Sequence, residues 1–125
     1  MTLPRLFEKA NRTLLAAKRA LEQGDAETTA DRAYYSIYYA AWGLLAAAGV
    51  PRPKTHNGLI AELSRVYVKT GKLDATQGAV LSRLQNLRLV ADYSLEVIPL
   101  EDARRAVREA EQFLAAARAL GESPR

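Results

Sequence analysis

Apolar residues recur along this chain at alternating steps of three and four, the spacing that aligns side chains on one face of an α-helix, and no stretch alternates with period two for long. Glycines punctuate the pattern at Gly24, Gly49, Gly71 and Gly121, with Pro51 and Pro124 just beyond two of them, as at helix C-termini. Five helices are predicted. The first runs from about Leu3 to Gln23, with Thr2 as N-cap, Pro4 in its first turn and a stripe of Leu3, Phe7, Ala10, Leu14, Ala17 and Leu21. The second, capped by Asp25, continues to about Ala48 and carries Ala30, Ala33, Ile37, Ala40, Leu44 and Ala47 on one face. Its flanks are apolar or aromatic too, with Tyr34, Tyr38, Ala41 and Leu45 on one side and Tyr35, Tyr39 and Trp42 on another. A helix apolar nearly all round belongs at the centre of a fold, covered on several sides.

After a Pro51-Arg52-Pro53-Lys54 loop, Thr55 caps a short third helix whose buried face is Leu59, Ile60, Leu63, Val66 and Tyr67. Asp74 and Gln77 resemble a capping box at the start of the fourth, with Val80, Leu84, Leu87 and Ala91 as its core stripe. Pro99 opens the fifth, where Glu101 and Asp102 suit the helix dipole and Ala106, Ala110, Phe113, Ala117 and Leu120 face the core. The fold class predicted is all-α, an antiparallel four- to five-helix bundle.

Composition narrows the chemistry. At 125 residues the chain fits one domain spanning residues 1–125, and 49% hydrophobic with 26% charged residues is ordinary globular usage. Without cysteine there is no disulfide, thiolate metal site or Cys nucleophile. His56 is the only histidine and no carboxylate cluster has metal spacing, so neither a metal nor a cofactor is expected; Gly71-Lys72 lacks the strand and further glycines of a phosphate-binding loop. Arg5, Glu8 and Lys9 interrupt the N-terminus where a signal peptide needs an apolar stretch, and the longest apolar run, Ala40 to Val50, falls short of the ~20 residues that span a bilayer. No membrane association and a cytoplasmic location are the expectations.

Net charge is +4, and its placement is uneven. Between Val50 and Tyr93 stand seven basic residues (Arg52, Lys54, Arg65, Lys69, Lys72, Arg83, Arg88) against Glu62, Asp74 and Asp92, while the rest of the chain balances eleven basic with eleven acidic groups. Such a middle third suits an anionic partner, and chance placement on a solvated surface accounts for it equally. On the fourth helix Arg88 and Asp92 share one line, roughly 70 to 110° from the centre of the Leu84, Leu87 and Ala91 stripe, which puts Arg88 at the border of core and solvent. An i,i+4 ion pair that only trims the helix is the plain alternative to a functional role. For the tyrosines of the second helix, core packing competes with base stacking; for His56 and Asn57, local polar capping competes with chemistry.

Several short motifs coincide in order and spacing. They are Asp31-Arg32-Ala33-Tyr34-Tyr35-Ser36-Ile37-Tyr38-Tyr39-Ala40-Ala41, Lys54-Thr55-His56-Asn57-Gly58-Leu59, Val68-Lys69-Thr70-Gly71-Lys72-Leu73-Asp74 and Leu87-Arg88-Leu89-Val90-Ala91-Asp92-Tyr93. In these the chain resembles the HEPN domains, specifically their small stand-alone prokaryotic branch. The resemblance implies a bundle of four to five helices that dimerises, and a place beside a minimal nucleotidyltransferase in a toxin-antitoxin or defence module. Active members are metal-independent ribonucleases with Arg-x4-His near the end of the fourth helix, often followed by x-Tyr. Aligned on Tyr93, this chain has Asn86 in place of that arginine and Ala91 in place of the histidine. Alanine cannot move a proton, so the family's usual acid/base route is absent.

What the resemblance leaves is a candidate catalytic set of Arg88, Asp92 and His56, candidate RNA or nucleotide contacts at Arg83, Arg88, Lys54 and Lys69, and Tyr93 as a modification candidate, since partner transferases adenylylate the matching tyrosine. Three readings follow: a binding component of a HEPN/nucleotidyltransferase module, a divergent endoribonuclease toxin, and a non-catalytic helical partner subunit.

Overall fold

The computed structural model describes residues 2–122 and contains, among these, five α-helices and no strand. They are α1 (Leu3–Glu22), α2 (Ala26–Ala47), α3 (His56–Leu63), α4 (Ala75–Tyr93) and α5 (Leu100–Glu122). The bundle expected from the apolar spacing is the fold observed. Asp25 caps α2 by accepting from the Thr28 amide at 3.1 Å, and Thr55 caps α3 by accepting from Gly58 at 2.9 Å, each supplying one of the partners that a first helical turn lacks. Thr2 stands at the N-cap of α1 but makes no side-chain cap bond, and Pro4 lies in the first turn. At the other end of α2, Gly49 adopts φ +77° and lets the Val50 amide turn back onto the Leu45 carbonyl at 2.9 Å, a conformation a β-carbon would strain.

Helix α2 is the centre. It packs against α1 most extensively, then α5, α4 and α3. Tyr34, Ile37, Ala40, Ala41, Leu44 and Leu45 are buried on it, and Phe113 and Ala110 of α5 and Leu6, Ala10 and Ala17 of α1 close the core around them. Small residues set the spacing: a β-carbon on Gly43 would stand 3.0 Å from Leu3 Cδ1 and 3.3 Å from Leu6 Cβ, so a side chain there would make α1 give way by a few tenths of an ångström.

Four sequence expectations are corrected. Gly121 does not end the last helix: α5 continues through it to Glu122, and Gly121 packs against Phe7 and Leu3, while Pro124 lies outside the described residues. The capping box of α4 is half formed, because Asp74 accepts from the Thr76 amide at 2.9 Å whereas the buried Gln77 Oε1 has no hydrogen-bond partner. The third helix does not stay α-helical: from Ser64 to Val68 it widens into a π-helical turn that buries Tyr67, whose hydroxyl donates to the Leu44 carbonyl. The core face of α4 is also displaced. Val80 and Leu84 are buried as expected, but Leu87 and Ala91 are only half-buried, and Leu81, Gln85 and Arg88 take the interior positions.

None of the described helices is long and apolar enough to cross a membrane.

The packing makes a direct prediction. Phe113→Ala removes a ring with no exposure from the core and is expected to cost about 3–5 kcal/mol, whereas Leu15→Ala, at a half-exposed position of α1, stays within about 0.5 kcal/mol. Urea melts of the two variants check this; equal midpoints would contradict the placement of α5.

Candidate functional site

The polar group furthest from water on α4 organises the site. Arg88 is 7% exposed. Its position follows from helix geometry: Leu81, Leu84, Gln85 and Arg88 follow one another at steps of three, one and three, and so share the face turned to α2. There the guanidinium lies over the rings of Tyr34 and Tyr35, 5.2 and 5.5 Å from their centroids, where the negative faces of the rings attract it. One terminal nitrogen donates to Asp92 Oδ2 at 3.1 Å and the other to Gln85 Oε1 at 3.2 Å, while the buried Nε has no hydrogen-bond partner. The i,i+4 pair with Asp92 exists, but it is no surface trim: the arginine end is buried and only the aspartate end, 38% exposed, meets solvent.

His56 approaches the same two tyrosines from α3. Its ring centroid is 5.5 Å from Tyr34, 5.9 Å from Tyr35 and 5.1 Å from Tyr38, and its Nδ1 is 2.7 Å from the Tyr34 hydroxyl. The loop before α3 fixes this approach. Gly58 lets Thr55 and Pro53 close over the first turn, where a β-carbon would meet Thr55 Oγ1 at 2.9 Å and Pro53 Cβ at 3.2 Å. Burial, then the charges of Arg88 and Arg52, push the His56 pKa below the usual histidine value, so the ring stays neutral to lower pH than an exposed one. Burial likewise raises the phenols of Tyr34 and Tyr35, the Arg88 charge only partly offsetting it. Arg52 in turn stacks over Trp42 at 4.5 Å, one turn further along the aromatic strip.

The structure thus brings His56 of α3 together with Arg88 and Asp92 of α4 around one pair of tyrosines of α2. Lys54 stands exposed two residues before His56. Tyr93, the last residue of α4, follows Asp92 and is 79% exposed. Two proposed contacts fall elsewhere. Arg83 is roughly 140° around α4 from Arg88 and pairs with Glu109 of α5, beside a groove of about 340 Å³ floored by Leu84, Leu87 and Val90. Lys69 lies before the N-terminal end of α4, and the helix places Arg88 some thirteen residues, roughly 20 Å, further on.

The basic middle third is therefore not one patch. Arg65, Arg83 and Arg88 are neutralised by Glu62, Glu109 and Asp92, and among the described residues Arg52 and Lys54 at one end and Lys69 and Lys72 at the other have no ion pair. Gln85, the two tyrosine faces and Arg52 were not among the expected site residues. Their signal was available: Gln85 and Arg88 stand three apart, Asp92 four further on, and a tyrosine-dense helix is the natural seat for an arginine.

A chain with this fold and these motifs has recognisable relatives. A Methanocaldococcus jannaschii protein named "Putative toxin MJ0605" is 33% identical over 109 residues, covering 87% of this chain and 81% of that protein. A Thermotoga maritima protein named "UPF0332 protein" is 33% identical over 108 residues, covering 85% and 80%. A second M. jannaschii protein, "Putative toxin MJ0142", is 28% identical over 113 residues, covering 90% and 76%. The HEPN domain pattern matches residues 3–120, nearly the whole length, and with it the chain belongs to the HEPN domain family.

Proposed function

We propose that this protein is the toxin-type component of a two-component module and binds RNA or a nucleotide where α2, α3 and α4 meet. The observation that carries the reading is the convergence of Arg88, His56 and Asp92 on Tyr34 and Tyr35. A buried guanidinium against Tyr34 and Tyr35, with the half-buried rings of Tyr35 and Tyr38 beside it and Arg52 and Lys54 without ion pairs nearby, offers an anionic ligand a positive field and ring surfaces. The names of two relatives support the toxin part of the reading.

Cleavage is the second reading, favoured by the proximity of His56 to Arg88. Asn86 and Ala91 leave no Arg-x4-His pair, so any hydrolysis rests on His56 and Asp92.

A partner surface adjoins the site. Leu95 and Val97 are fully or almost fully exposed, and Leu89, Tyr93 and Leu100 flank them, so the end of α4 and the connection to α5 display apolar area that a monomer rarely leaves open. A homodimer covering this strip is our reading, with a nucleotidyltransferase as the second component acting on the exposed Tyr93 hydroxyl.

Four outcomes test these proposals. Fluorescence polarisation with a labelled single-stranded oligoribonucleotide is expected to show about tenfold weaker binding for His56→Ala and for Lys54→Glu, and affinity that drops steeply from about 50 to 200 mM salt; a flat salt response would remove phosphate contacts as its source. Lys54→Glu lies outside the core, whereas His56→Ala leaves the buried Tyr34 hydroxyl without its partner and Arg88→Ala does the same to Gln85 and Asp92, so these two report on folding as well. If wild-type protein breaks down the RNA and His56→Ala does not, the cleavage reading replaces the binding one. Sedimentation is expected to give a dimer that the double variant Leu95→Glu, Val97→Glu converts to monomer; an unchanged mass would move the interface elsewhere. Co-expression with a nucleotidyltransferase encoded beside it is expected to add the mass of a nucleoside monophosphate that Tyr93→Phe does not acquire.

A further inference from the structure

We propose that Tyr34 is a positioning residue that holds neutral His56 as the Nε2–H tautomer, so that the site meets an anionic oxygen with a hydrogen-bond donor and not with a base. The inference deepens the binding reading above and rests on it only for the identity of the ligand.

The geometry runs from the inside outwards. Tyr34 has no exposure, and its hydroxyl lies 2.7 Å from His56 Nδ1, the one hydrogen-bond partner it has among the described residues. Around the ring stand other aromatic faces and the Arg88 guanidinium, which carries donors and no acceptor. A buried phenol proton needs an acceptor, and Nδ1 is the acceptor within reach. Were Nδ1 to carry the proton instead, the phenol hydrogen would be left buried with nowhere to go. Burial keeps Tyr34 in its protonated, donating form. The imidazole of a neutral histidine has one N–H, so with Nδ1 accepting, Nε2 carries it. Among the described residues Nε2 has no hydrogen-bond partner, and it is not one of the fully buried unpartnered atoms, so it is not closed off from solvent.

The charges nearby complete the case. Burial and then the charges of Arg88 and Arg52 oppose a second proton on His56 and so favour the neutral ring, and both arginines favour an anion beside it. Asp92 is held by Arg88 and balances that charge alone, leaving Arg52 unpaired. A phosphate or phosphodiester oxygen is the ligand chemistry that a neutral N–H donor flanked by such cations selects.

Nitrogen-15 NMR of the intact protein at neutral pH tests the assignment. The expected spectrum shows Nδ1 with the shift of an unprotonated acceptor and Nε2 with that of a protonated nitrogen, and Tyr34→Phe shifts the balance toward a mixture of tautomers. A proton on Nδ1, or the same tautomer in Tyr34→Phe, would overturn the proposal. Titration with inorganic phosphate is expected to move the Nε2–H resonance of the wild type; a resonance that stays put overturns the donor role. As a second route, His56→Gln, which retains an N–H donor, is expected to keep oligoribonucleotide affinity within about threefold of wild type while His56→Ala loses about tenfold; equal losses would overturn it. If no oligoribonucleotide binds to the wild type at all, the RNA reading fails, while the spectrum and the phosphate titration still decide the tautomer and the donor.

Discussion

A positive charge held out of water against two aromatic rings is the contact on which the rest of this bundle turns. Burying a guanidinium costs several kcal/mol unless partners replace its hydration. Here Tyr34 and Tyr35 supply ring faces, Gln85 an amide oxygen and Asp92 a half-exposed carboxylate. Desolvated contacts between a cation and a ring contribute about 2 kcal/mol or more, which makes Arg88 a tie between α4 and α2 as well as a site residue. Helix α4 packs more extensively on α2 than on α5, and its Leu87 and Val90 face an open groove beside α5.

That tie also shapes the chemistry. With the guanidinium committed to internal partners, a ligand bound at the proposed site would feel Arg88 through its field and through the groups it orients. The side chains that can touch a ligand are those around it: His56, Asp92, the half-buried tyrosines and the exposed Arg52 and Lys54. Compared with the Arg-x4-His arrangement of active HEPN ribonucleases, the departure at Ala91 removes a proton carrier from α4, and His56 brings an imidazole to the vicinity of Arg88 from a different helix. Neutral and tied to Tyr34, that imidazole suits recognition better than proton abstraction.

The end of α4 joins this site to an apolar surface. Tyr93, Leu95 and Val97 follow Asp92 within five residues and are all widely exposed, more contiguous apolar surface than a lone chain usually leaves open. A partner seated there would stand beside Asp92 and Arg88, so the proposed assembly and the proposed ligand binding would share one end of the bundle.

Much of this was legible in the sequence. The three-four spacing, the caps Asp25 and Thr55 and the stop at Gly49 are local, and they fixed the helices and the central place of α2 because helix formation depends on neighbours three and four residues away. The family motifs likewise pointed to Arg88, Asp92, His56 and Tyr93 as candidates. Sequence alone could not turn α4 correctly. Hydrophobicity assigned its inner face to Leu87 and Ala91, whereas packing gave it to Gln85 and Arg88, because the face opposite is made of tyrosine rings, which accept a cation as readily as a leucine. Nor could it sort the basic residues: whether Arg83 is free or held by Glu109, and whether Lys69 lies near Arg88 or a helix length away, depends on which helices meet, and that only the tertiary structure decided.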